Sequence, residues 1–134
     1  MNILAIDFGT KNIGLAWCDT GIGAVLPFGK IKNERSKMKN SELAKIIMTE
    51  KIDKVILGLP VGLDGADNTN TARVKQFGTE LEAEISASVE YFDERFSSQQ
   101  ADRSVGGVSR DEKSAMVILE GYLENIKSQI SNSK

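Results

Sequence analysis

The hydrophobic positions of this chain first change period near residue 40. Residues 2–7 (Asn-Ile-Leu-Ala-Ile-Asp) form a short apolar run that ends in a carboxylate, which reads as a strand. Residues 8–12 are a tight connection. From Ile13 to Cys18 a second strand puts Ile13, Leu15 and Trp17 on one face, and the short link makes the pair an antiparallel hairpin. Thr20 to Gly23 is a turn, and residues 24–32 make a third strand. Pro27 cannot donate to a ladder, so this strand belongs at a sheet edge.

Helical spacing then takes over. Ser41 reads as an N-cap, followed by Leu43, Ile46, Ile47 and Glu50. Residues 54–59 are nearly all apolar, as in a strand covered on both faces. A Gly/Asp/Asn-rich loop runs from Pro60 to Asn70. Residues 71–86 predict a helix with Val74, Phe77, Leu81 and Ile85 on one side. Val89 to Glu94 is a last strand. Ser109 with Glu112 has capping-box spacing, and the helix after it aligns Asp111, Ala115, Ile118, Tyr122 and Ile126. The order β-β-β-α-β-α-β-α predicts an α/β fold. Its mixed five-stranded sheet has three antiparallel strands, then two added in parallel through right-handed crossovers, with helices on both faces. One domain over residues 1–130 with a tail at 131–134 is the expectation for 134 residues.

Composition narrows the chemistry. The chain has no histidine, which removes Ser-His-Asp and Cys-His catalysis, histidine-ligated zinc and a histidine base. Cys18 is the single cysteine, so there is no internal disulfide, and a reducing cytoplasm is the default expectation. No apolar run approaches the roughly 20 residues of a membrane span. Net charge is −2, against a broadly basic coat. The charge is uneven: eight basic residues against four acids lie in 30–54, and six acids with no base lie in 80–94. Such runs are commonly solvated faces.

Three carboxylates stand at the ends of elements: Asp7, Glu94 and Asp111. In open sheets of this kind, ligands sit beyond the carboxyl ends of strands. Three carboxylates without histidine suit a hard cation, Mg²⁺ or Mn²⁺, able to activate water for phosphodiester hydrolysis. Each acid also has a plain structural reading, as a turn residue, a solvated strand end or a complement to a helix N-terminus. Asp-Phe-Gly-Thr-Lys-Asn-Ile-Gly at 7–14 allows a phosphate or metal to approach the backbone, so Gly9, Thr10 and Lys11 are candidate substrate contacts. The loop after residue 58 leads to Arg73 and Lys75, a second pair of candidate phosphate contacts. Cys18, Trp17 and Tyr122 read as core.

Taken together, these motifs resemble the YqgF family, also called RuvX, of Holliday-junction-resolvase-like proteins. The resemblance runs through Ala5-Ile6-Asp7-Phe8-Gly9-Thr10-Lys11 with Ile13-Gly14, then Gly58-Leu59-Pro60, Asp64-Gly65, Thr71, Arg73-Val74 and Phe77. It continues in Asp93-Glu94-Arg95-Phe96-Ser97-Ser98 and in Asp111, Ala115, Ile118-Leu119 and Tyr122-Leu123. It implies an RNase H-like fold, with Asp7, Glu94 and Asp111 as a catalytic acidic triad holding Mg²⁺ or Mn²⁺, and Arg95 as a further substrate contact. It also implies a metal-dependent nuclease that matures the 5′ end of 16S rRNA, with pre-rRNA and ribosome assembly intermediates as partners. Branched DNA is the alternative substrate.

Between the Asp-Glu-Arg motif and the last helix, members of that family carry a longer basic segment. Here it is Ala101 to Arg110, with Arg103 and Arg110 as its cations. Weak, salt-sensitive nucleic-acid binding follows from that shortening. Two readings of other classes stay open: an actin-like nucleotide phosphate-binding domain, whose Asp-Phe-Gly-Thr loop is similar, and a nucleic-acid binder without activity. Monomer and homodimer also both stay open.

Overall fold

The computed structural model describes residues 1–9, 11–33, 38–59, 69–93 and 110–132. Among them lie β1 (Asn2–Phe8), β2 (Asn12–Asp19), β3 (Val25–Lys32), α1 (Met38–Thr49), β4 (Lys54–Leu59), α2 (Thr69–Glu82), β5 (Ser88–Asp93) and α3 (Arg110–Asn132). The sheet order is β3-β2-β1-β4-β5. β1, β2 and β3 pair antiparallel, while β4 joins β1, and β5 joins β4, in parallel. This is the mixed sheet that the pattern predicts, with Pro27 on the edge strand.

Strand alternation divides the interior into two layers. Leu4, Ile6, Ile13, Leu15, Val55 and Leu57 face α1 and α2, where Leu43, Ile47, Val74, Phe77 and Leu81 close the larger core. On the opposite side, Ile3, Ala5, Ala16, Cys18, Ile56 and Phe92 meet Ala115, Ile118, Leu119 and Tyr122 of α3. The two faces differ in size. Under α3, the central strands carry Ala5, Gly14, Ala16 and Cys18, so a long helix can settle close to the backbone.

Helix boundaries depart from expectation in two places. α1 begins at Met38, so Ser41 is an interior residue and not an N-cap. Asn40 is buried three residues before Leu43, so the buried stripe extends a turn earlier than the apolar pattern alone shows. α2 ends at Glu82, leaving Ile85 outside the helix though still packed on the core. Glu80, Glu82 and Glu84 crowd that end, where the helix dipole disfavours negative charge. Glu112 Oε2 also accepts the Gly29 N–H at 2.8 Å, a contact from α3 to β3 that local spacing does not show. Ser109, the other half of the predicted capping box, lies outside the described residues.

α1 stops at a left-handed residue, Lys51, with φ 54°. The Ile52 N–H donates to the Ile47 carbonyl at 2.9 Å, and Asn2 Nδ2 donates to the Glu50 and Lys51 carbonyls. This is a helix C-terminus built for glycine but occupied by lysine. Lys51→Gly is expected to relieve about 1 kcal/mol of backbone strain, part of it offset by a freer unfolded chain. A higher urea midpoint at unchanged slope is the check.

A polar cluster holds the middle of α3. Tyr122 Oη donates to Glu90 Oε2 at 2.7 Å, and Lys54 Nζ lies 3.1 Å from Glu90 Oε1 and 3.2 Å from Tyr122 Oη. The Tyr122 hydrogen bond, then Lys54, holds the Glu90 carboxyl below its ordinary value, with burial opposing. The Lys54 ammonium is raised, by Tyr122 first and Glu90 second. The Tyr122 phenol is raised, by burial first. A lowered carboxyl contributes stability above its ordinary value of 4.5 and loses it as pH falls further. Raised lysine and tyrosine contribute below 10.5 and 10.0 and lose it as pH climbs past. Stability is therefore expected to be flat between about pH 5 and 10 with losses on both sides. Tyr122→Phe should shallow the acid limb in thermal melts taken across pH.

Candidate active site

The candidate site lies at the carboxyl end of β1. Ile6 and Phe8 face the α1–α2 layer, and Phe8 stacks on Phe77 of α2 with ring centroids 4.4 Å apart. Strand alternation therefore turns Asp7 to the α3 side. Asp7 pairs directly with Gly14 on β2. Directly opposed antiparallel residues share a face with Cβ positions about 5 Å apart. A Cβ placed on Gly14 would run into the backbone carbonyl of Asp111 and come 3.1 Å from its Cα. The first turn of α3 thus rests on the position opposite Asp7 that has no side chain, and it brings two acids from opposite ends of the sequence to the carboxyl end of the central strand. Both Asp7 and Asp111 are half-buried.

The connection after Asp7 is tied down by backbone bonds. The Gly9 N–H donates to the Asp7 carbonyl at 3.1 Å and to the Asn12 carbonyl at 3.0 Å. Asn33, just past β3, donates its N–H to the Lys11 carbonyl at 2.9 Å and its Nδ2 to the Gly9 carbonyl at 2.6 Å. Lys11 is exposed at this end of the sheet. Arg73 and Lys75 are exposed on α2, which packs on the other face of the sheet from α3. Thr10, Glu94 and Arg95 lie outside the described residues.

Among the described residues no three acids, cysteines or histidines cluster tightly enough to hold a metal ion. The pair that is described, Asp7 and Asp111, offers oxygen donors only, the donor type that a hard divalent cation takes. Acids in the first turn of α3, Asp111 and Glu112, also complement the helix dipole, which offsets part of their repulsion from Asp7. Residue patterns did not single out Asn33 or give Glu112 its role. Their contacts span 24 and 83 residues, beyond the reach of local spacing.

A family model described as RuvX, Holliday junction resolvase, matches residues 1–125. The chain belongs to the RuvX family. A RuvX relative from Maridesulfovibrio salexigens is 35% identical across 92% of this chain and 98% of its own length. One from Koribacter versatilis is 38% identical across 91% of this chain and 86% of its own. Both carry the name "Putative pre-16S rRNA nuclease". Among solved structures, Thermus thermophilus RuvC in complex with a Holliday junction substrate superposes with a TM-score of 0.62. It covers 96% of each chain at 10% identity, and so establishes the RuvC-like RNase H fold.

Gly14 carries the geometry of this candidate site in the RuvX chain. Gly14→Ala is expected to push the first turn of α3 off the sheet and to destabilise by about 1–3 kcal/mol, the usual cost of overpacking. Denaturant unfolding beside a Gly23→Ala control checks this, since a Cβ at Gly23 meets nothing within 4 Å. Gly23 has φ 84°, so the control reports left-handed backbone strain without a clash. Gly14→Ala should lose more.

Proposed function

We propose that this chain is a divalent-metal-dependent nuclease that hydrolyses phosphodiester bonds in precursor 16S rRNA. Asp7, Glu94 and Asp111 act as its catalytic and metal-holding carboxylates, with Mg²⁺ or Mn²⁺ as the cation. One observation carries the reading: the first turn of α3 rests on Gly14 directly beside Asp7, in a chain related over nine-tenths of its length to proteins named as pre-16S rRNA nucleases. Glu94 lies outside the described residues and enters the set through the Asp93-Glu94-Arg95 motif, which resembles that of the family.

With no histidine in the chain, the residues themselves supply charge and orientation and no imidazole base. A bound divalent cation supplies an activated water and stabilises the leaving oxygen. Asp7 brings a negative oxygen at the end of β1, and Asp111 brings a second from a helix N-terminus. Gly9, Thr10 and Lys11 are assigned to the scissile phosphate. Arg73, Lys75 and Arg95 are assigned to flanking phosphates, which they orient without reading sequence. We assign the activity to one domain, residues 1–130, acting in the cytoplasm on RNA within ribosome assembly intermediates.

Asp7→Asn keeps the side-chain shape and removes the charge. Losing a metal worth several kcal/mol of transition-state stabilisation corresponds to about a hundredfold to a thousandfold in rate. Cleavage of a 16S precursor carrying its 5′ leader, with and without Mn²⁺, is the measurement. Full activity in a folded Asp7→Asn protein would sink the mechanism. The description of the matching family favours a second reading, resolution of branched DNA. A four-way junction as a parallel substrate separates the two by which one is cut faster.

A further inference from the structure

The edge strand reaches both sides of the candidate site. Between Leu15 and Ala16 the β2–β3 register slips by one residue, leaving Phe28 unmatched. Gly29 follows with φ 111°, a backbone conformation that a side chain would strain. At this bulge the Gly29 N–H is held by Glu112 Oε2 of α3. Four residues on, Asn33 holds the connection after Asp7 through the Gly9 and Lys11 carbonyls. One strand therefore grips the helix turn that carries Asp111 and the loop that follows Asp7.

We propose that β3 is a strut that sets the separation between the first turn of α3 and the Gly9–Lys11 loop, with Glu112 and Asn33 as its two positioning residues. The inference deepens the metal-dependent reading above and rests on it for its functional consequence. Glu112 adjoins Asp111, yet the structure gives its carboxylate a backbone amide to accept. That task needs an acceptor oxygen and no charge, so an amide side chain performs it. A carboxylate that holds a cation needs the charge itself. Asn33 has the converse requirement: its Nδ2 donates to the Gly9 carbonyl, so a carboxylate in its place would set two acceptors against each other.

Four variants of the full chain test this: Glu112→Gln, Glu112→Ala, Asn33→Ala and Asn33→Asp. Amide hydrogen exchange is read without metal at Gly29 and at Gly9 to Asn12. Thermal stabilisation by Mn²⁺ and RNA cleavage are read separately. Glu112→Gln is expected to leave Gly29 exchange and the Mn²⁺ response within about twofold of wild type. Glu112→Ala should speed Gly29 exchange about tenfold, the protection that one hydrogen bond provides. The Mn²⁺ needed for half-maximal stabilisation should rise about tenfold, as when a group supporting a metal ligand is lost. Both Asn33 variants should speed exchange at Gly9 to Asn12, Asn33→Asp more than Asn33→Ala.

If Glu112→Gln loses the Mn²⁺ response as fully as Glu112→Ala, the carboxylate acts through its charge and the strut is wrong. Unchanged exchange at Gly29 in Glu112→Ala also overturns it. Should wild type ignore Mn²⁺ and cut no RNA, the metal-dependent reading fails by itself, and exchange alone decides for or against the strut. Where Glu112→Ala does not fold, Glu112→Gln and Asn33→Asp carry the decision.

Discussion

The seat of α3 on Gly14 is the constraint on which the rest of this molecule depends. A helix carries a side-chain layer that normally keeps its axis about 10 Å from a sheet. Here its backbone at Asp111 fits into the space that a Cβ on Gly14 would take. The approach is possible because the strand residues along its path are small: Gly14, Ala16 and Cys18 on β2, and Ala5 on β1. Ala115, one turn into α3, continues the close fit. An ordinary branched side chain at residue 14 would lift the helix and carry Asp111 away from Asp7.

Bringing acids together opposes folding, and the fold lowers that cost in two ways. Its place at the end of the central strand leaves Asp7 half-exposed, so water still screens it. The N-terminus of α3 adds the partial positive charge of unpaired amides where Asp111 and Glu112 stand. The stability to hold two acids at one end of the sheet comes from the apolar layers on both faces. The larger core, on the α1–α2 side, holds Leu, Ile, Val and Phe at the positions facing the helices and lies away from the acids.

The strands were legible in the sequence because their signals are local. The apolar run at 54–59, the alternation in β2 and Pro27 on an edge each follow from one residue and its neighbours. Asp7 was legible for the same reason, as a carboxylate ending an apolar run before a glycine-bearing turn. Ser41 misled because its chemistry suits a cap while the buried stripe of α1 already begins at Asn40, a polar residue that apolar periodicity skips. Ile85 misled because its apolar character matched the helix face, although packing on the core does not require helix. Glu112 and Asn33 act across the sheet, and nothing in their neighbours tells which distant amide or carbonyl they meet.

Apolar contact and polar contact divide the task of placing α3. Ala115, Ile118 and Leu119 bury against the sheet and fix how deeply the helix sits, but burial energy is nearly indifferent to a small rotation or slide. Hydrogen bonds are directional, so they can fix what burial leaves loose. The helix has such contacts at both ends of its apolar middle: Glu112 with Gly29 near its start, and Tyr122 with Glu90 and Lys54 about 15 Å further on. Two directional anchors on a rigid rod determine its rotation as well as its register. The rotation decides where the Asp111 carboxylate points, and so these hydrogen bonds between α3 and the sheet, more than the hydrophobic core, set the geometry of the proposed site.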